Sequence, residues 1–210
     1  MPDSLFGGKA VIQFQHEHER RGFLKYAALV GVGGALATGV APVLAASSSD
    51  QFGSGDVGIL NYALTLEYLE STFYAMGVQQ TELGDNRKYI EPIAAHEAAH
   101  VQAITATLQK LSQTPVSKPR FKFPDGTFTD PQKFLKIAST FEETGVKAYH
   151  GQVTLIQSGD ILAAAASIAG VESRHASVLN LILGQKPVLA PVEAHASMDE
   201  ILAIVKPFIG

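Results

Sequence analysis

The chain has 210 residues, of which 46% are hydrophobic and 17% are charged, and this length suits one domain with a well-buried core. It contains no cysteine, which excludes a disulfide framework and any metal site built on thiolates. The formal net charge is -4, and residues 47–210 carry 12 lysines and arginines against 17 aspartates and glutamates. This acidic balance argues against nucleic acid as a partner.

The N-terminal segment, residues 1–46, has the pattern of an export signal. An arginine pair at 20–21 is followed by Phe-Leu-Lys and by an apolar run, rich in glycine and alanine, over 26–46. The pattern resembles a twin-arginine signal, which implies recognition by the twin-arginine export machinery and a periplasmic or secreted protein. An uncleaved membrane anchor is the alternative, because the run has about the length that a bilayer requires. We expect cleavage, since the run is weakly hydrophobic and is interrupted by Pro42.

Two helices are predicted after a linker at 47–55. Apolar residues recur at helical spacing over 56–78, which predicts the first helix. A short turn at 83–85 leads to a second helical pattern over about 86–111. Pro92 lies in this second pattern, so it either kinks the helix or belongs to its first turn.

Two further helices follow a long connection. Residues 113–130 contain three prolines and a glycine, which predicts an extended segment. The third helix is predicted to begin at Pro131, with Asp130 as its cap, and to run to about Ser158. A tight turn then leads into a fourth helix that ends near Gly184, because glycine commonly terminates helices.

The lengths of the connections predict the topology. Short turns place the first helix antiparallel to the second, and the third antiparallel to the fourth, while helices of about 25 residues are roughly 38 Å long. The long connection can span roughly 60 Å and therefore cross the whole bundle. The predicted fold is all-α: a four-helix bundle over 56–184 with one long crossover between the second and third helices. Residues 185–210 are predicted to form a Pro-rich segment and a short helix that caps the bundle end.

Two of these helices carry the same pattern of a glutamate and a histidine three residues apart. The pairs are Glu97 with His100 on the second helix and Glu172 with His175 on the fourth. This spacing places both side chains of a pair on one helical face, where they can share a metal ion. One such pair is typical of a solvent-exposed surface, so the repetition carries the argument.

The other two helices each carry a glutamate near the midpoint, so the four helices can place carboxylates in one layer. Four buried carboxylates without cations would repel one another strongly. Oxygen donors with one imidazole for each ion suit iron, with manganese as the alternative, and the absence of thiolates leaves zinc possible but less expected. The sequence therefore predicts a site for two metal ions, bridged by Glu97 and Glu172. The predicted ligands are Glu67, Glu97, His100, Glu142, Glu172 and His175.

This arrangement resembles the ferritin-like superfamily, in which two helices each supply a Glu and two supply Glu-x-x-His. The resemblance covers residues 56–183. The stretch 61–67, continuing to Tyr74, is similar to the first helix of bacterioferritin, which implies that Tyr74 lies beside the metals. Tyr74 could donate an electron during the reduction of O2 or H2O2, and the equally good alternative is a buried tyrosine with a satisfied hydroxyl. Glu142 followed by Gly145 resembles the corresponding third helix. The signal, Pro-rich connection and C-terminal helix are similar to the secreted, desiccation-related branch.

Three neighbouring residues have alternative interpretations. Glu70 and Glu143 could also be ligands, but each is displaced by about 100° or more around its helix from the preferred glutamate, so we expect both to be partly solvated. His96 precedes Glu97 and is expected at the surface or at the edge of the core. Its alternative role is an outer-sphere proton relay.

The first hypothesis for the function is an oxidoreductase whose small-molecule substrate is O2 or H2O2. Such a protein would be a ferroxidase or a peroxide scavenger, and a manganese form would resemble a catalase. The alternative is a non-catalytic protectant against stress or desiccation with a structural metal site. Six protein ligands shared by two ions leave room for solvent or substrate, which favours the redox function. The long connection and extra helix add bulk at the bundle surface, so we expect a monomer or dimer rather than a cage.

Overall fold

The computed structural model describes residues 51–188 and 190–210, and the predicted export signal lies outside them. Within these residues the chain forms five α-helices. They are α1 (Gly55–Gln80), α2 (Arg87–Lys110), α3 (Pro131–Gln152), α4 (Gly159–Ile182) and α5 (Met198–Val205). Among these helices, none combines the length and apolar character that crossing a bilayer requires.

The third helix begins as predicted. The Asp130 carboxylate accepts hydrogen bonds from the backbone N–H groups of Gln132 and Lys133, at 2.9 and 3.2 Å, and Pro131 occupies the first turn. A side-chain acceptor at this position satisfies donors that have no partner within the helix.

The same helix ends at Gln152, six residues before its predicted end near Ser158. The cause is a contact with the start of α1. Both oxygens of Asp56 accept hydrogen bonds from the backbone, one from Gln157 N–H at 2.8 Å and one from Ser158 N–H at 2.7 Å. These N–H groups are therefore held outside a helix by a residue about 100 positions away in the chain, which no local pattern can reveal.

The long helices have the predicted topology with one crossover. Gly77, near the end of α1, packs so closely on the ring of Phe134, near the start of α3, that a Cβ at this position would overlap the ring. The start of α1, in contrast, accepts hydrogen bonds from the chain just after α3. Helices α1 and α3 are therefore antiparallel. The connection that precedes α3 is attached near the start of α1, where Asn61 Oδ1 accepts from Val116 N at 3.0 Å. Near its other end, Phe128 packs on Phe73 with ring centroids 5.6 Å apart. The prediction of an all-α bundle with one crossover is confirmed.

Two apolar clusters fill the bundle, one on each side of its middle. The first is rich in phenylalanine, with the Phe73 and Phe134 rings stacked at 4.7 Å, and α5 adds Ile201 and Val205 to it. The second cluster, at the opposite end, consists of the buried residues Leu60, Ala63, Leu64, Ile104, Leu108, Tyr149, Ile156, Ile161 and Ala169. On α1, α2 and α4, the residues between the clusters include the predicted ligands. The polar layer is thus enclosed by apolar side chains at both ends.

Candidate metal centre

The six predicted ligands lie together at the middle of the bundle. All are buried, with exposed fractions between 0% and 8%. Their ligand atoms form two groups, and within each group these atoms lie within 4.8 Å of one another. Glu97 and Glu172 belong to both groups. The first group adds Glu67 and His100, and the second adds Glu142 and His175.

In the first group, one imidazole nitrogen faces three carboxylates. His100 Nδ1 is 3.3 Å from Glu67 Oε2, 3.4 Å from Glu97 Oε2 and 3.1 Å from Glu172 Oε1. These four side chains come from three helices, α1, α2 and α4. Their donor atoms converge on one small volume.

The second group repeats the arrangement around His175. Its Nδ1 is 3.1 Å from Glu97 Oε1 and 3.2 Å from Glu142 Oε2. The two oxygens of Glu97 therefore point in different directions, Oε2 toward His100 and Oε1 toward His175. A carboxylate placed between two groups in this way is suited to bridge two cations.

Among the described residues, several ligand atoms find no hydrogen-bond partner, although they are buried. They are Glu67 Oε2, both oxygens of Glu97, both oxygens of Glu172 and His100 Nδ1. A buried polar atom without a partner costs about 1–3 kcal/mol, and a charged one costs more. Cations bound by these atoms would remove that cost. The donor set of carboxylate oxygens with one imidazole nitrogen in each group is one that divalent metals accept, so the residues fit a pair of metal ions.

Without metal, burial and mutual repulsion shift the acid–base behaviour of the carboxyl groups. Burial, together with the charge of Glu97, raises the pKa of Glu67 to about 8, and burial raises the pKa of Glu172 well above its usual value. Burial also opposes the ionisation of Glu97, but the close approach of the His100 and His175 imidazoles outweighs it and lowers the pKa of Glu97 to about 2. Of these three carboxyl groups, Glu97 is the one whose surroundings favour the charged form.

The two histidines carry the compensating protons. Burial acts to lower their pKa values, but the carboxylates close to each imidazole outweigh it. The pKa of His100 rises to about 10 through Glu67 and Glu97. The pKa of His175 rises to about 9 through Glu142 and Glu97. In the metal-free protein, protons therefore occupy the place that cations are suited to fill.

The expectation that Glu70 is partly solvated is wrong. Glu70 is 4% exposed, because a step of three residues on a helix corresponds to 300° and places it only about 60° from Glu67. A Cβ at Gly145 would lie 3.4 Å from Glu70 Oε1 and 3.1 Å from Glu172 Oε2. Gly145 thus leaves room for two carboxylates. Glu143 is partly buried and accepts a hydrogen bond from Asn180 Nδ2 at 3.1 Å.

The outer carboxylates are Glu67 and Glu142, which each belong to only one of the two groups. Each of them accepts a hydrogen bond from a tyrosine on the other one's helix. The hydroxyl of Tyr74, on α1, donates to Glu142 Oε1 on α3 at 2.5 Å. The hydroxyl of Tyr149, on α3, donates to Glu67 Oε1 on α1. Each tyrosine follows the glutamate of its own helix by seven residues, or about two turns, so it lies on the same helical face. Tyr149 is not among the site residues predicted from the sequence, but this repeated spacing of seven residues was a signal that could have identified it.

His96 lies at the edge of the site. It is exposed, yet its Nδ1 is 2.9 Å from His175 Nε2 and the two rings are stacked 5.2 Å apart. The hydrogen bonds continue from His175 to Glu142 and from Glu142 to Tyr74. The site is therefore connected to solvent by a chain of four hydrogen-bonded side chains.

Comparison with known proteins agrees with this architecture. A family model described as a ferritin-like domain matches residues 55–185, which include all four long helices and all six predicted ligands. A comparison with curated proteins gives no match. Because the matched region covers more than half of the chain, the protein belongs to the ferritin-like domain family.

Proposed function

We propose that this protein holds two iron or manganese ions and oxidises metal with O2 or H2O2, as a ferroxidase or a peroxide scavenger. The observation that supports the proposal most directly is the set of buried ligand atoms without partners in two groups that share Glu97 and Glu172. When bound, the two metal ions would supply two electrons, which suffice to reduce H2O2 to water or O2 to H2O2.

Each outer carboxylate has one oxygen occupied by a tyrosine and one oxygen turned toward the site. Tyr149 occupies Glu67 Oε1, while Glu67 Oε2 is buried without a partner. Tyr74 occupies Glu142 Oε1, while Glu142 Oε2 faces His175 Nδ1. The tyrosines therefore orient these carboxylates as terminal ligands. Supporting hydrogen bonds of this kind strengthen metal sites.

Tyr74 is the proposed electron donor within the protein. Its hydroxyl is fully buried and already bonded to Glu142. When Tyr74 loses an electron to the oxidised centre, its phenolic proton can move along this hydrogen bond to Glu142 and leave a neutral radical. Burial and the nearby charge of Glu142 hold the pKa of Tyr74 well above its usual value, so the tyrosine does not lose its proton before the electron leaves.

His96 is the proposed proton entry point. A hydrogen bond donated by His175 Nε2 to His96 Nδ1 fixes the tautomer in which His175 Nδ1 keeps its lone pair for a metal. With Nε2 already protonated and Nδ1 reserved for a metal, His175 would not pass a proton on, so His96, which is exposed, would take up protons from solvent at the edge of the site.

We also propose that the protein acts outside the cytoplasmic membrane. This part of the proposal rests on the twin-arginine pattern within residues 1–46. The twin-arginine route carries folded proteins, so the metal would be bound before export. Replacement of the arginine pair at 20–21 by lysines should leave the protein in the cytoplasmic fraction. Unchanged export of that variant would contradict the assignment.

The activity is tested with protein isolated from its native compartment. Elemental analysis should find about two ions of iron or manganese per chain, and added Fe(II) should accelerate the consumption of O2 or H2O2 above the protein-free rate. The Glu97→Gln/Glu172→Gln variant is the control, and it should bind little metal and consume neither oxidant. Two bound ions without any acceleration would instead support the structural role in a stress protectant. Absence of metal would contradict both functions.

A further inference from the structure

Glu70 is a fifth glutamate buried beside the candidate centre, and the function proposed above gives it no role. It lies on α1 three residues after Glu67, is 4% exposed and belongs to neither of the two ligand groups. Burial and the charges of Glu142, Glu97 and Glu67 raise the pKa of Glu70 well above its usual value. The side chain is therefore close to the carboxylates of the centre.

The carboxylate of Glu70 points toward this centre. A Cβ built on Gly145 would lie 3.4 Å from Glu70 Oε1 and 3.1 Å from Glu172 Oε2. Both oxygens thus lie within contact distance of one point on α3, and Glu172 is one of the two glutamates that the ligand groups share. The missing side chain at Gly145 leaves the space in which the two carboxylates approach one another.

Glu70 lacks the hydrogen bond that the outer carboxylates have. Glu67 and Glu142 each accept one from a tyrosine. Among the described residues none donates to Glu70, and its pKa responds only to burial and to the charges of other glutamates. A carboxylate buried without hydrogen bonds is stable only in its protonated form or beside a positive charge. The positive charge that this layer is suited to hold is that of the metal ions.

The position of Glu70 breaks the likeness between α1 and α3. Each of these helices carries a glutamate ligand that is followed seven residues later by a tyrosine. Three residues after the ligand, however, α1 carries Glu70 whereas α3 carries Gly145. The two ligand groups are therefore not equivalent, because α1 offers one carboxylate more and α3 offers none.

The direction of α1 indicates which ion Glu70 can reach. A step of three residues advances about 4.5 Å along the helix axis, which is comparable to the separation of about 3.5–4 Å between the ions of two-metal sites. From Glu67, a ligand of the first group, this step leads toward Tyr74, which bonds to Glu142 of the second group. Glu70 therefore lies on the side of the second group.

We propose that Glu70 is a seventh protein ligand of the metal centre and binds the ion of the second group, beside Glu142 and His175. The assignment rests on the proposed function, because it requires two bound ions, but it does not depend on the oxidant that they reduce. The ion of the second group would be held by one carboxylate more than the ion of the first group. It should therefore bind more tightly, since affinity rises with the number of charged ligands.

Two substitutions distinguish a ligand from a nearby charge. Glu70→Gln removes the charge at nearly constant volume, whereas Glu70→Asp keeps the charge and withdraws the carboxylate by one methylene group. Mn(II) titration of the stripped full chain, in competition with a chelator, should show two ions bound to the wild type. Both variants should bind one of these ions about tenfold or more weakly and keep the wild-type affinity for the other. Wild-type affinities in Glu70→Asp would overturn the assignment of a ligand, because the charge alone would then suffice.

Glu143→Gln is the matched control. Glu143 is the neighbour of Glu142 on α3, but it accepts a hydrogen bond from Asn180 Nδ2 and belongs to neither ligand group. Its replacement should leave the affinity for both ions at the wild-type value. Equal losses for both ions in Glu70→Asp would overturn the assignment to one ion. Absence of metal from the wild type would contradict the proposed function as well, whereas two bound ions that are insensitive to Glu70 would contradict only this assignment.

A crystal structure of the wild type loaded with Mn(II) tests the coordination without any substitution. An oxygen of Glu70 should lie about 2.0–2.3 Å from the ion that Glu142 and His175 bind, the usual distance from a carboxylate oxygen to a small divalent ion. The ion of the first group should have no contact with Glu70. A shortest distance beyond about 3 Å from Glu70 to either ion would overturn the proposal.

Discussion

At the scale of single residues, the candidate centre has an approximate symmetry between α1 and α3. Each helix supplies one glutamate and, seven residues later, one tyrosine that bonds to the glutamate of the other helix. Because the two helices are antiparallel, these two contacts lie on opposite sides of the shared carboxylates. The two tyrosines have matching positions, but only Tyr74 is assigned a redox role.

The pair of tyrosines can be separated by substitution. Tyr74→Phe and Tyr149→Phe should each reduce metal affinity about 10- to 100-fold, since each removes the hydrogen bond that orients a ligand. Only Tyr74→Phe should also remove the tyrosyl radical signal detected by electron paramagnetic resonance after the loaded protein is mixed with H2O2. Persistence of that signal in Tyr74→Phe would refute the assignment of the electron donor.

Gly145 provides a second test at this scale. Alanine at this position would place a Cβ 3.1 Å from Glu172 Oε2, a tight contact that forces the carboxylate to move. We expect Gly145→Ala to lower metal affinity at least tenfold, measured by competition with a chelator. The variant should keep its helical circular dichroism, because alanine favours helix over glycine by about 1 kcal/mol.

Gly170 is the matched control for that substitution. It is an exposed residue within α4, and a Cβ there would meet no atom of the described residues within 4 Å. Gly170→Ala should raise the free energy of unfolding by roughly 0.5–1 kcal/mol and leave metal affinity unchanged. Equal metal affinity in the two alanine variants would mean that the space beside Gly145 has no bearing on the site.

At the scale of helices, the contact between Asp56 and the end of α3 sets where that helix stops. Asp56→Ala removes two hydrogen bonds to backbone N–H groups and should lower the free energy of unfolding by about 1–3 kcal/mol. Asp160→Ala is the control, since Asp160 also lies in the first turn of a helix and has the same favourable interaction with the helix dipole. Chemical denaturation of both variants measures the difference. Equal losses would assign the effect to the dipole alone.

The features that could be predicted from the sequence are those that depend on residues close together in the chain. The start of α3 at Pro131 follows from the chemistry of the cap, and the crossover follows from the length of the proline-rich connection. The early end of α3 could not be predicted, because its cause is a contact with Asp56, about 100 residues away. The burial of Glu70 could have been predicted, since a step of three residues keeps a side chain near the face of Glu67.

At the scale of the whole molecule, the metal-free protein should lose stability as pH rises. The pKa of Glu67 is about 8 in the folded state against 4.5 ordinarily. This raised pKa contributes to the free energy of unfolding in full below pH 4.5, and the contribution is lost as pH rises through 8. The raised pKa values of His100 and His175 act in the same direction. Their contribution to the free energy of unfolding is complete below pH 6.5 and is lost as pH rises through about 9 to 10. The lowered pKa of Glu97 acts in the opposite direction, but its contribution to the free energy of unfolding is lost only as pH falls from 4.5 to about 2.

The melting temperature of the stripped protein should therefore be higher at pH 5.5 than at pH 8.5. The loaded protein should show the opposite trend between pH 5 and pH 7.5, because protons compete with metal for the same ligands. Thermal melts of both forms across this range give the comparison. Parallel pH profiles of the two forms would contradict the idea that protons and metal share the site.

The central claim is that Glu97 and Glu172 couple two metal ions to the folded state, and a thermal melt at pH 7 tests it most directly. At a thousandfold excess over the Kd, metal stabilises the native state by about 4 kcal/mol, which corresponds to roughly 10 °C for a chain of this size. Stripped wild-type protein should gain about this much on addition of Fe(II), under anaerobic conditions, or Mn(II). The Glu97→Gln/Glu172→Gln variant should keep its helices and gain almost nothing, because amides replace the bridging charges at nearly constant volume. Equal melting temperatures of the wild type with and without metal would contradict the account.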